Sequence, residues 1–153
     1  MTLAAQQQNK LFETRRLAPN LGAEIIGVDL ARGVNDAQFA AIYDAFLKHQ
    51  VLLFGTQDLP PGRQVEFARR FGEVQIHVMN QYHADGYPEL YRLSNLDANG
   101  NPNGRHPDKG TLEWHTDGSW QRVTGQATII TPKSLQGKAV RLISATWSAP
   151  TSA

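Results

Sequence analysis

A histidine and an aspartate stand two positions apart in Trp114-His115-Thr116-Asp117-Gly118-Ser119-Trp120. On an extended segment residues i and i+2 share a face, so His115 and Asp117 would present an imidazole and a carboxylate side by side. Together they are two-thirds of a 2-His-1-carboxylate centre, the donor set that holds Fe(II) while leaving coordination positions open. The remaining donor is a second imidazole. The histidines of the chain are His49, His77, His83, His106 and His115, so none follows the motif.

The spacing alone carries little weight, because the chain also contains His83-Ala84-Asp85 and His106-Pro107-Asp108. Context separates the three. Asp85-Gly86 is a turn dipeptide, and Pro107 lies in a stretch rich in Gly, Asn and Pro, so neither of those pairs is expected to keep strand geometry. Only the third is flanked by bulky aromatics, with the β-tolerant Thr116 at its centre.

These side chains need a scaffold, and the composition bounds it. A chain of 153 residues with 41% hydrophobic content fits one domain or part of a larger one. A formal charge of +1 gives no electrostatic case for nucleic acid or a membrane surface, and the doublets Arg15-Arg16 and Arg69-Arg70 read as solvated surface. Cysteine is absent, which removes thiolate ligands and suits a reducing cytoplasm. The start, Met1 to Asn9, is polar and Gln-rich without a leader-like apolar core, and no run reaches the roughly 18 apolar residues of a membrane span. The expectation is a soluble cytoplasmic protein with a flexible N-terminus over residues 1–14.

Residues Gly22 to Leu30 read as a β segment with Gly at both bends. Asn35 can cap a helix with Gln38 three positions on, and Phe39, Ile42, Tyr43, Phe46 and Leu47 recur at helical spacing as one apolar stripe. Val51 to Phe54 is a short apolar run, expected to be a strand buried on both faces. Pro60-Pro61 open a second helix whose apolar positions are Val65, Phe67, Ala68 and Phe71, with Gly72 ending it. Strands are expected over Val74 to Val78, which contains His77, and over Tyr91 to Leu96. A loop follows from Asp97 to Gly104. The order of elements implies an α+β fold with helices on one side of the sheet.

Four blocks carry a family likeness in the same order: Gly22-Ala23-Glu24-Ile25 with Val28-Asp29-Leu30; His49 to Phe54 with Gln57; Phe67 to Glu73; and Trp114 to Asp117. Over roughly residues 15 to 130 the chain resembles the taurine dioxygenase family, which includes phenoxyacetate-herbicide dioxygenases. The resemblance implies the N-terminal part of a double-stranded β-helix, or jelly roll, with flanking helices. It implies an Fe(II)- and 2-oxoglutarate-dependent oxidoreductase that hydroxylates a small anionic sulfonate or carboxylate substrate with O2. It makes His115 and Asp117 metal ligands and His77 a contact for the substrate's acidic group. Trp120 falls where the family often places a pocket wall, although core packing explains an aromatic there as well. Thr111 stands where the taurine enzyme has a substrate-contacting Asn, which argues against taurine itself.

Past Ile130 the likeness ends. All fourteen acidic residues lie at or before Asp117, and the remainder is rich in Ser, Thr, Ala and Pro without apolar periodicity. Residues 131–153 are therefore expected to be a non-homologous, disordered tail. Back-translation of Thr131 to Ala153, displaced by one nucleotide, is compatible with a family-like continuation that includes a Gly-Gly-acidic-Thr turn. A frameshift after about Ile130 would account for this. The distal histidine and the 2-oxoglutarate-binding arginine of the family have no counterpart here, so the expectation is a fragment, inactive alone, whose open sheet edges favour homo-oligomers. Two rival readings stand beside it: a non-catalytic interaction module built on the front half of the fold, and a different metal-binding β-sandwich completed by His77 or His106.

Overall fold

The computed structural model describes residues 11–55, 57–94, 96–97, 99–101, 117 and 121–132, together with the backbone of 142–145. The chain divides into two compact units, Met1–Gly72 with Gln126–Ala153 and Glu73–Gly125. The first is a mixed α+β layer. Its sheet runs in the order β1-β2-β3-β7-β6, from β1 (Glu13–Arg16), β2 (Ala23–Ile26), β3 (Val51–Phe54), β6 (Thr128–Ile129) and β7 (Leu142–Ala145). β2 and β3 are parallel, joined through helix α1 (Asp36–His49), and the other pairings are antiparallel.

Sequence dictates each piece in a recognisable way. Asn35 accepts from the Gln38 amide at 2.8 Å and the Gln38 side chain accepts from the Asn35 amide at 3.1 Å, a closed capping box that satisfies two otherwise orphaned donors. Ile42 and Phe46 drive the buried face of α1 onto Ala23, Ile25, Leu52 and Phe54. Leu47, expected in the same stripe, is instead exposed, since the sheet covers a narrower arc of the helix than the stripe allows. Helix α2 (Pro61–Arg69) starts on Pro60-Pro61 and buries Val65 and Phe67. Phe39, Phe46, Phe54, Phe67 and Phe71 meet edge-on at centroid distances of 5.0 to 6.2 Å, the arrangement ring quadrupoles favour.

Arg70 is not the plain surface residue that its doublet suggests. Its guanidinium lies over the Phe39 ring at 4.4 Å, pairs with Asp36 at 2.8 Å and donates to the Val34 carbonyl at 3.3 Å, which ties the end of α2 to the start of α1. Gln57 makes a comparable tie. Its side-chain oxygen accepts from the Leu30 amide at 2.9 Å and its amide donates to the Val28 carbonyl at 3.2 Å. Four residues of the segment expected to lack structure, Leu142–Ala145, form β7 and pair with β3 along its whole length. At the other end β1 begins at Glu13, inside the stretch expected to be flexible.

The second unit holds β4 (His83–Ala84) and β5 (Tyr87–Tyr91), an antiparallel hairpin closed by Asp85 and Gly86. Gly86 takes φ +76°, which an L side chain resists, so Asp-Gly serves as the hairpin turn rather than merely ending a segment. The His83-Ala84 pair therefore does lie in a strand. The expected strand over Val74 to Val78 is absent, and β5 ends at Tyr91, where a strand was expected to begin. Among the described residues no helix is long and apolar enough to cross a membrane.

Candidate functional site

In the second unit His77 sits among a backbone amide, Tyr91 and His83. Its Nδ1 accepts from the Met79 amide at 3.1 Å, and its ring lies 4.3 Å from that of Tyr91, which in turn meets Tyr82 edge-on at 5.4 Å. The His83 Nε2 lies 2.7 Å from the His77 carbonyl oxygen. A carbonyl only accepts, so His83 carries a proton on Nε2. For His77 the logic runs the other way. With Nδ1 occupied as an acceptor, the neutral ring holds its proton on Nε2, an exposed donor with no partner among the described residues. A ring poised in that way suits an anion. Metal ligation through Nε2 would need the opposite tautomer and would cost the Met79 hydrogen bond.

Asp117 is the one member of the His-x-Asp motif among the described residues; it is exposed and sits in a turn. The side-by-side presentation expected of His115 and Asp117 lies outside the described residues, since His115 does. His115, Trp120, Thr111 and His106 lie outside the described residues. The segments of His77 and Asp117 are nevertheless tied together. Gln75, two positions before His77, and Gln121, four positions after Asp117, exchange side-chain amide hydrogen bonds of 2.8 and 3.3 Å. Neither glutamine was singled out from the sequence, and no local pattern marks such a pair, since both ends are single polar residues far apart in the chain. Among the described residues no group of three His, Asp or Glu side chains converges on a point that could hold a metal.

The loop that leads from β5 toward the motif is ordered at its start by Asp97. Its carboxylate accepts from the amides of Asn99 at 2.8 Å and Asn101 at 2.9 Å, and its own amide donates to the Asn101 carbonyl at 2.8 Å. The hydrogen bond from the Asn101 amide does most to hold the Asp97 carboxyl below its ordinary value, with the Asn99 and Gly100 amides adding to it.

In the first unit His49, at the end of α1, is buried, and its pKa is lowered from 6.5 by desolvation, then by Lys48 and Arg16. It enters the sequence only as part of the His49 to Phe54 block.

Comparison with known proteins identifies the family. The family model described as "Taurine catabolism dioxygenase TauD, TfdA family" matches residues 13–131. The (S)-phenoxypropionate/alpha-ketoglutarate-dioxygenase of Delftia acidovorans is 31% identical over 118 residues, covering 71% of this chain and 37% of the relative. An alkylsulfatase of Acinetobacter baylyi is 33% identical over 119 residues, covering 76% of this chain and 34% of that protein. Among solved structures, a Burkholderia xenovorans protein assigned as an alpha-ketoglutarate-dependent taurine dioxygenase superposes with a TM-score of 0.61 at 31% identity, over 77% of this chain and 40% of that one. The chain thus spans well under half the length of these relatives. With the match running from β1 through the His-x-Asp segment to the residues after β6, the chain belongs to the taurine catabolism dioxygenase TauD/TfdA family.

Proposed function

We propose that the chain is the front portion of an Fe(II)- and 2-oxoglutarate-dependent dioxygenase acting on a small anionic substrate. His115 and Asp117 would be two of its three metal ligands, and the whole enzyme would have a jelly-roll fold. In this reading His77 donates its Nε2 proton to the acidic group of the substrate, and Trp120 forms part of the pocket wall. Bound Fe(II) with 2-oxoglutarate would supply the oxidising chemistry that couples decarboxylation to hydroxylation. The chain's own residues hold the ion from one side, orient the anion and bring the two segments into register. The observation that carries the reading is the family match over residues 13–131, and the Gln75–Gln121 amide pair, two positions from His77 and four from Asp117, supports it.

Anaerobic Fe(II) titration of single variants tests it. His115→Ala and Asp117→Ala should each abolish a weak Fe(II) interaction, whereas His77→Ala and His106→Ala should leave it within about twofold. A large loss at His77 or His106 would favour a different metal-binding sandwich, and no loss at any position would favour a non-catalytic module.

The boundary after about Ile130 belongs to the same proposal. The family match stops at residue 131, where the composition changes, as a one-nucleotide frameshift would produce. The purified 153-residue chain is then expected to form no substrate-dependent succinate, because the chain has no histidine after His115 to serve as the distal ligand. The coding sequence beyond Ile130 should encode a histidine and an arginine at family-like spacing in the displaced frame. Its absence there would end the frameshift account.

A further inference from the structure

We infer that the cleft between β1 and α1 is a binding site for a small amphipathic carboxylate, built wholly from the first unit and using no residue of the His-x-Asp segment. The cleft has a volume of about 610 Å³. Period-2 geometry puts Phe12, Thr14 and Arg16 on one face of the β1 segment, while Ala41, Ala45, Lys48 and His49 recur along one stripe of α1, and all of them line the cavity. The two alanines are the cause of the gap. Where α1 meets the inner strands it presents Ile42 and Phe46, but opposite the middle of β1 its apolar positions are the small Ala41 and Ala45, and every residue of β1 is exposed.

The walls sort by chemistry. Leu11, Phe12, Ala41 and Ala45 give an apolar floor, and Arg16, Lys48 and His49 gather at the end of α1. His49 is only 7% exposed, and what remains of its ring surface opens on the cleft, where a bound group can reach it. Arg16 is held in place by donating to the Pro19 carbonyl at 2.6 Å, which leaves the rest of its fork available. The titratable groups lining the cleft are Arg16, Asp44, Lys48 and His49, from both elements that form it. Two cations against one carboxylate outweigh the partial negative charge of about one half at the helix end, so the balance favours a monoanion. The Thr14 hydroxyl completes the polar lining. A single carboxylate on a short apolar or aromatic body matches both ends.

The test uses the 153-residue chain, with benzoate and hexanoate as probes, benzyl alcohol as the uncharged control and NMR detection of the His49 ring. Benzoate should perturb the ring and raise its pKa, since a neighbouring carboxylate offsets Lys48 and Arg16, while benzyl alcohol should not. Lys48→Ala, an exposed change that leaves the core alone, should weaken benzoate binding about two- to fivefold. Ala45→Leu should weaken binding by narrowing the apolar floor of the cleft, with the amide spectrum of β2 and β3 unchanged. Equal responses to benzoate and benzyl alcohol would overturn the inference, as would an unmoved His49 pKa or an affinity indifferent to Lys48→Ala.

Discussion

At His77 one hydrogen bond decides what the ring can offer. A backbone amide donating to Nδ1 leaves a proton on Nε2, so the side chain is an anion donor in this conformation, and a long-range ¹⁵N spectrum of the neutral ring should show Nδ1 without a proton. Recovery of a protonated Nδ1 would withdraw the anion-binding role. His49 illustrates a different constraint. Its folded pKa lies below 6.5, so as pH falls through that value the unfolded chain takes up a proton that the folded chain resists. Stability should therefore be full above about pH 6.5 and decline below it, and His49→Gln should flatten that limb of a urea-denaturation series measured from pH 7.5 to 5.5. The sequence made His77 legible only through the family likeness. It gave no signal for the ring's tautomer, nor for Gln75 and Gln121, because those depend on which backbone groups the fold brings within reach.

Elements whose information is local were the readable ones. The capping box of α1 involves residues three apart, and its apolar stripe repeats at the helical period, so both could be read from the sequence. Asn35→Ala should cost about 1 kcal/mol in chemical denaturation. The far end of α1 could not be read, because Gln50 takes φ +63°, a left-handed conformation normally left to glycine. Gln50→Gly should accordingly raise stability by about 0.5–1 kcal/mol, seen as a shift in urea midpoint at constant slope. β1 escaped notice because Glu-Thr-Arg-Arg has no apolar alternation and forms an edge by pairing with β2 alone. The reverse holds for Val74 to Val78: its alternation looks like a strand, yet no partner strand among the described residues takes it up, and Ile76 and Val78 stand exposed. Strand propensity without a partner specifies nothing.

For the whole molecule the question is what covers its apolar surface. Leu17, Leu21, Ile26 and Leu47 in the first unit are exposed, as are Ile76, Val78 and Val123 in the second. Surface of that kind drives self-association, and the chain should elute from gel filtration ahead of a 17.0 kDa monomer, increasingly so at higher concentration. A concentration-independent monomer would argue against open interfaces. The family and the mixed α+β character were legible because four blocks of residues recur in order. The pairing of β7 with β3 was not, since Leu142–Ala145 carries no pattern until a vacant strand edge is available to it.

Gln57 acts as a peptide unit by proxy, one carboxamide giving and receiving as a neighbouring strand would. The stretch around Val28 and Leu30 is therefore fastened like sheet without belonging to one. The Leu30 amide should exchange with deuterium as slowly as those of β2, and Gln57→Glu, which keeps the acceptor and discards the donor, should spare that amide while orphaning the Val28 carbonyl.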